Sequence, residues 1–154
     1  MAQRWQKSGP NHVPAYQMSG IPFVTSSATT EVPRVDNAAA HPVEIKFPFV
    51  TKNIKIRNIG SSDLRIAFSY SGSLTPGQAP KDSSLTSNYF LLPTAAAGKI
   101  DTQDFDVRCT KVFFAGSGGT TGFSIFAGLT TIPANQFPEL TGSVAGATHF
   151  EGIG

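Results

Sequence analysis

The feature that most constrains this chain is a two-residue alternation of apolar and polar side chains, flanked on both sides by proline-punctuated segments. In "FPFVTKNIKIRN" one set is Val50, Ile54 and Ile56, and the opposite set is Thr51, Asn53, Lys55 and Arg57. Successive side chains of a strand point to opposite faces, so this pattern predicts a half-buried β-strand. "IGSSD" is a turn, and "LRIAFSY" then alternates Leu64, Ile66, Phe68 and Tyr70 with Arg65, Ala67 and Ser69. A long Gly/Pro/Ser loop over residues 71–87 follows, then "NYFLLP", a short strand ended by proline. Phe105, Val107 and Cys109 are in phase, whereas Val112 and Phe114 are not, which predicts a bulge or turn near Thr110. "GSGGTTG" reads as a hairpin turn, and "GFSIFAGLT" sets Phe123, Ile125, Ala127 and Leu129 against Ser124, Phe126, Gly128 and Thr130. No helix of ordinary length is visible. Short strands separated by Gly/Ser turns predict an all-β sandwich or barrel. Ile54, Ile56, Leu64, Ile66, Phe68, Val107, Phe123 and Ile125 are the expected shared core.

The flanks have a different texture. Residues 1–43 carry Pro10, Pro14, Pro22, Pro33 and Pro42, and each proline removes a donor and biases its predecessor to extended backbone. We expect residues 1–43 to be an extended arm, residues 44–133 a compact domain of about 90 residues, and residues 134–154 an extended tail. Trp5, Tyr16 and Phe23 in the arm, with Phe137 and Phe150 in the tail, are spaced apolar anchors suited to docking on a neighbour.

Reactive chemistry is sparse. His12, His41 and His149 all lie in the flanks, so the expected scaffold has no histidine for a nucleophile triad or a zinc centre. Asp101, Asp104 and Asp106 in "DTQDFD" lack the spacing of a calcium loop. We expect no catalytic residues, no cofactor and no metal. Cys109 is the single cysteine, which excludes an intrachain disulfide and suits a buried thiol made in a reducing compartment. Only 14% of residues are charged and the net charge is +2, so the chain carries no strong electrostatic footprint for nucleic acid and no specific nucleic-acid partner is expected. No apolar run is long enough to span a membrane, and no small-molecule substrate is indicated. The one basic stripe, Lys46, Lys52, Lys55 and Arg57, reads first as a solvated strand face and second as a contact surface for an acidic neighbour. Of it, Lys52, Lys55 and Arg57 complement the acidic Asp101, Asp104 and Asp106, and the two groups are expected to meet across a subunit interface. Rigid strands with apolar-dotted arms and little chemistry make the pattern of an assembly protein rather than an enzyme.

The order "RN-x-G-x-x-x-LRI-x-F", then "NYF-x-L", then "AGLT", resembles the single jelly-roll vertex (penton) proteins of large icosahedral double-stranded DNA viruses, the nucleocytoplasmic large DNA virus group. The resemblance runs from about Ile54 to the C-terminal end, and the N-terminal arm departs most from it. It implies an eight-stranded antiparallel jelly roll and a homopentamer at each capsid vertex. It also implies contacts to major and minor capsid proteins and residence in the virion. It brings no active-site residues. The alternatives are a viral decoration, cement or head-fibre protein, and a carbohydrate-binding jelly-roll module with "SNYF" and "KDSS" as its aromatic and polar platform.

Overall fold

The computed structural model describes residues 9–11, 13–17, 20–34, 41–69, 89–94 and 100–137. These form one short helix, α1 (Val13–Gln17), and eight strands: β1 (Ile21–Ser26), β2 (Val43–Lys46), β3 (Phe49–Asn58), β4 (Asp63–Ala67), β5 (Phe90–Leu92), β6 (Thr102–Phe105), β7 (Lys111–Ser117) and β8 (Phe123–Pro133). A 3-10 turn at Ala134–Gln136 follows β8. The strands make two four-stranded antiparallel sheets, ordered β1-β8-β3-β6 and β2-β7-β4-β5. The protein is therefore an all-β sandwich. Its pairings include β1 with β8, β2 with β7, β3 with β6, and β4 with β5. Among the described strands only β4 and β5 are both consecutive and paired. Every other connection crosses from one sheet to the other.

The alternation explains the layers. Ile54 and Ile56 of β3, Leu64 and Ile66 of β4, Val112 and Phe114 of β7, and Phe123, Ile125, Ala127 and Leu129 of β8 fill one core between the sheets. Each large apolar side chain removed from water there contributes about 1.5–3 kcal/mol. Phe114 and Phe123 stack across the layers at 4.3 Å. At one lateral flank Phe23 meets Phe47 edge-on, and at the other Phe68, Phe105 and Phe90 form a chain of T-shaped contacts. All eight expected core residues lie in this core or pack against it, with Phe68 and Val107 only partly buried.

Four expectations are corrected. First, residues 1–43 do not all stand outside the sandwich, because β1 is a full member of the first sheet, paired with β8 from Ile21↔Leu129 to Ser26↔Ser124. Pro22 is tolerated because β1 is an edge strand and has no ladder to complete on its open side. Proline punctuation alone therefore concealed a strand. Second, α1 forms within the same segment, with Pro14 in its first turn, where a missing N–H loses no helical hydrogen bond. Third, Val50 shares parity with Ile54 and Ile56 but does not share their core. Register shifts between Phe49, Thr51 and Asn53 invert the phase. Val50 instead joins Ile132, Phe137 and Tyr16 in a second, smaller cluster. Fourth, the glycine turn after β7 is no hairpin. It carries the chain from the second sheet to the first, with Gly118 at φ 82°, a left-handed conformation that favours glycine.

Two buried polar networks close the sandwich. At one end Asn58 Nδ2 reaches the carbonyls of Ser62 (2.9 Å), Pro93 (3.1 Å) and Leu92 (3.3 Å). Its Oδ1 accepts from Gly60 N–H at 3.0 Å and lies 2.9 Å from Thr121 Oγ1. One side chain thus ties the β3–β4 turn, the exit of β5 and the β7–β8 crossing. At the bulge, Thr51 Oγ1 donates to Val107 O at 2.7 Å and accepts from Cys109 N–H at 2.9 Å. That pair of bonds satisfies backbone groups of the β6–β7 connection, which lie outside the ladders of the named strands.

Candidate functional site

The basic stripe and the acidic segment do meet, but within one chain. β3 and β6 are neighbours in register, with Lys55 opposite Asp104 and Arg57 opposite Thr102. Lys55 Nζ stands 3.4 Å from Asp104 Oδ2, and Arg57 Nε donates to Asp101 Oδ2 at 2.9 Å. The expected intersubunit charge pairing is corrected accordingly: these four side chains satisfy one another on the outer face of the first sheet. Exposed pairs of this kind are worth about 0–1 kcal/mol each. The Arg57 hydrogen bond holds the Asp101 carboxyl below the usual carboxylate range. A lowered folded-state pKa stabilises the fold above the unfolded pKa, so this contribution is present at neutral pH and is lost only in acid. Asp106 is exposed beyond β6, and Lys52, also exposed, donates to Gln17 O at 3.4 Å.

The aromatic anchors are also partly spent within the subunit. Phe23 packs on the main core. Phe137 is buried in the second cluster, which leaves it little surface for a neighbour. Tyr16 packs on that same cluster, lies 4.3 Å under the Arg108 guanidinium, and donates its hydroxyl to Pro10 O at 2.9 Å. Trp5 and Phe150 lie outside the described residues, as does the loop over residues 71–87. Of the sugar-platform candidates, Tyr89 is half-buried with Arg65 4.9 Å above its ring, and Phe90 meets Phe105 edge-on. One face of the Tyr89 ring is therefore occupied by the protein's own cation. Residues 81–84 of that platform lie outside the described set.

Among the described residues, several large apolar side chains are also exposed. On the outer face of the first sheet, Val24 and Phe126 are direct cross-strand partners, 68% and 44% exposed. The row continues into Lys55 and Asp104. Phe90 and Leu91 are exposed on β5, an edge strand, and Ile100 precedes β6. The alternation already put Phe126 on the outer set of β8. Val24 was invisible as its partner, because that pairing joins residues about a hundred positions apart.

Cys109 is fully buried, and burial pushes its thiol up to about 11. At pH 8 only about one thiol in a thousand is then the reactive thiolate. The native protein is expected to resist a thiol-disulfide reagent at pH 8 and to react stoichiometrically once unfolded in urea. Fast labelling without denaturant would contradict this placement. The raised pKa has a second consequence. Stability from the neutral thiol is present below its unfolded value, about 8.5, and declines as pH rises from there toward the folded value.

Among the described residues no group of three or more His, Cys, Asp or Glu side chains gathers, and no helix is long and apolar enough to cross a membrane. Comparison of the chain with protein families, with curated proteins and with solved structures found no match.

Proposed function

We propose that this chain is a structural capsid protein, the pentameric vertex subunit of an icosahedral double-stranded DNA virus. The observation that carries the reading is strand order. In a chain of eight strands, pairs 1–8, 2–7, 3–6 and 4–5 arise when one long antiparallel hairpin is wound around itself, which is the jelly roll. That order supports the jelly-roll part of the resemblance carried by "RN-x-G-x-x-x-LRI-x-F", "NYF-x-L" and "AGLT". A block of this kind, held by a buried aromatic core and tied at its end by Asn58, is rigid enough to be an architectural unit. Its exposed apolar side chains lie on a sheet face and on edge strands, surfaces that assembly can cover. Its partners in this reading are copies of itself and the adjoining major and minor capsid proteins, and its location is the virion.

A vertex subunit needs a heterologous interface that closes after five copies. Native mass spectrometry of the purified full chain is expected to give a pentamer, with monomer returning on dilution. A strictly monomeric species at the highest soluble concentration, together with absence from the five-fold positions of particles, overturns the reading.

A further inference from the structure

We propose that α1 is a strap that opens by itself and gates the second cluster while the sandwich stays folded. Val50 and Ile132 of that cluster are fully buried and Phe137 nearly so, and Tyr16 of α1 packs against them. The cluster lies on the outer face of the first sheet, because Ile132 shares the parity of Phe126 along β8 and the bulge turns Val50 to the same side. Among the described residues, the side chain that closes on it from outside the sheet is Tyr16.

The attachment of α1 is thin. The helix has five residues, with no acidic side chain in its first turn and no basic one in its last. A helix of that length is not stable alone in water, so it keeps its shape only while docked. Val13, Pro14 and Gln17 are exposed, and Tyr16 is half-buried. The Tyr16 ring lies 4.3 Å under the guanidinium of Arg108, an exposed side chain, and Lys52 Nζ reaches Gln17 O at only 3.4 Å. The Tyr16 hydroxyl donates to Pro10 O, within the same arm, so that bond does not tie α1 to the sandwich.

The strap also has a fixed root. A Cβ at Gly20 would stand 2.7 Å from Leu129 O, so the backbone there lies close on β8, and the six residues of β1 follow in full register with that strand. Opening stops at Gly20 and leaves every ladder intact. An opening that gives up so few buried contacts is far cheaper than unfolding the sandwich. It bares Val50, Ile132 and Phe137 on the face that already carries Val24 and Phe126, which enlarges the apolar area of that face. The strap thus controls how much apolar surface the subunit presents, whatever that surface meets, and the device does not depend on the vertex reading.

Thiol labelling of the full chain at pH 8 compares two positions. Cys109 belongs to the main core and reports opening of the sandwich, whereas Ile132→Cys reports opening of the strap. The introduced thiol is expected to react about 100-fold faster than Cys109, at a rate that low urea barely changes because little surface is exposed. In that background Ile66→Val, in the main core, should speed Cys109 about five-fold and leave the introduced thiol unchanged. Tyr16→Ala should speed the introduced thiol about ten-fold. Val50→Cys repeats the measurement at the other fully buried position, so one poorly folding variant does not decide the outcome. One shared rate and urea dependence for both thiols, or an equal response of both to Ile66→Val, means that α1 opens only with the sandwich and overturns the proposal. Labelling of both introduced thiols at the speed of an unfolded chain overturns it too, since the cluster would then stand open in the native protein.

Discussion

Replacing Asn58 with leucine is expected to lower the unfolding free energy by about 3–5 kcal/mol, although no charge or catalytic group is touched. Asn58 is fully buried, and its amide serves the carbonyls of Ser62, Leu92 and Pro93 while its oxygen serves Gly60 N–H. Leucine keeps the same branching and number of side-chain heavy atoms, but its methyl groups are bulkier, so some overpacking adds to the loss. The cost lies in the partners left in a dry interior without a hydrogen bond, at about 1–3 kcal/mol for each that water cannot reach. Arg57→Gln, one residue away on the exposed face, should cost no more than about 1 kcal/mol. Urea unfolding of the two variants measures the contrast. Equal, small effects would mean that the Asn58 network does not tie the three connections together.

The second large effect is expected from Ile56→Asp. Ile56 is fully buried at the centre of the main core, so a carboxylate there is desolvated and unpaired, and several kcal/mol are lost even if the group protonates. A stability of about 5–15 kcal/mol for a domain leaves little after such a loss, and the variant should be unfolded or insoluble. Phe68→Asp, equivalent to it on the alternation alone, should be milder. Phe68 is half-buried at the lateral flank against Phe105, where a carboxylate can turn toward water. Circular dichroism and melting curves of both variants test the ranking. A soluble Ile56→Asp protein with the parent melting temperature would falsify the burial of that face.

The outer faces show how one element can be read correctly and still mislead. Lys55, Arg57, Asp101 and Asp104 were legible as complementary charges, because their signs and strand positions are local facts. Their placement across an intersubunit boundary was not legible, since β3 and β6 become neighbours only when the chain winds past two other strands. The same limit applies to Tyr16 and Phe137. Both are apolar anchors on segments that looked extended, and the second cluster that receives them exists only because a bulge turns Val50 to that side. Asn58 gave no signal at all. A polar residue ending a strand is ordinary in sequence, and its value comes from three connections that converge on it.

By itself the sequence determined that this protein is built of strands, which apolar side chains line the core between the sheets, the Val50 bulge excepted, and that β5 is short and ended by Pro93. That Thr51, Arg65, Ala67 and Thr130 on the opposite phase are also buried was not legible in it. Each legible feature depends on the two-residue period or on one residue's backbone restriction, and both act between near neighbours. Tertiary structure alone decided that the turns after β3 and β7 cross between sheets, that β1 belongs to the sandwich despite Pro22, and that Val24 stands beside Phe126. The physical reason is that a strand satisfies half of its backbone hydrogen bonds with each neighbour, and any strand of matching pattern can supply them. Alternation specifies a face without specifying a partner. The partner is chosen when the whole chain buries its apolar faces at once.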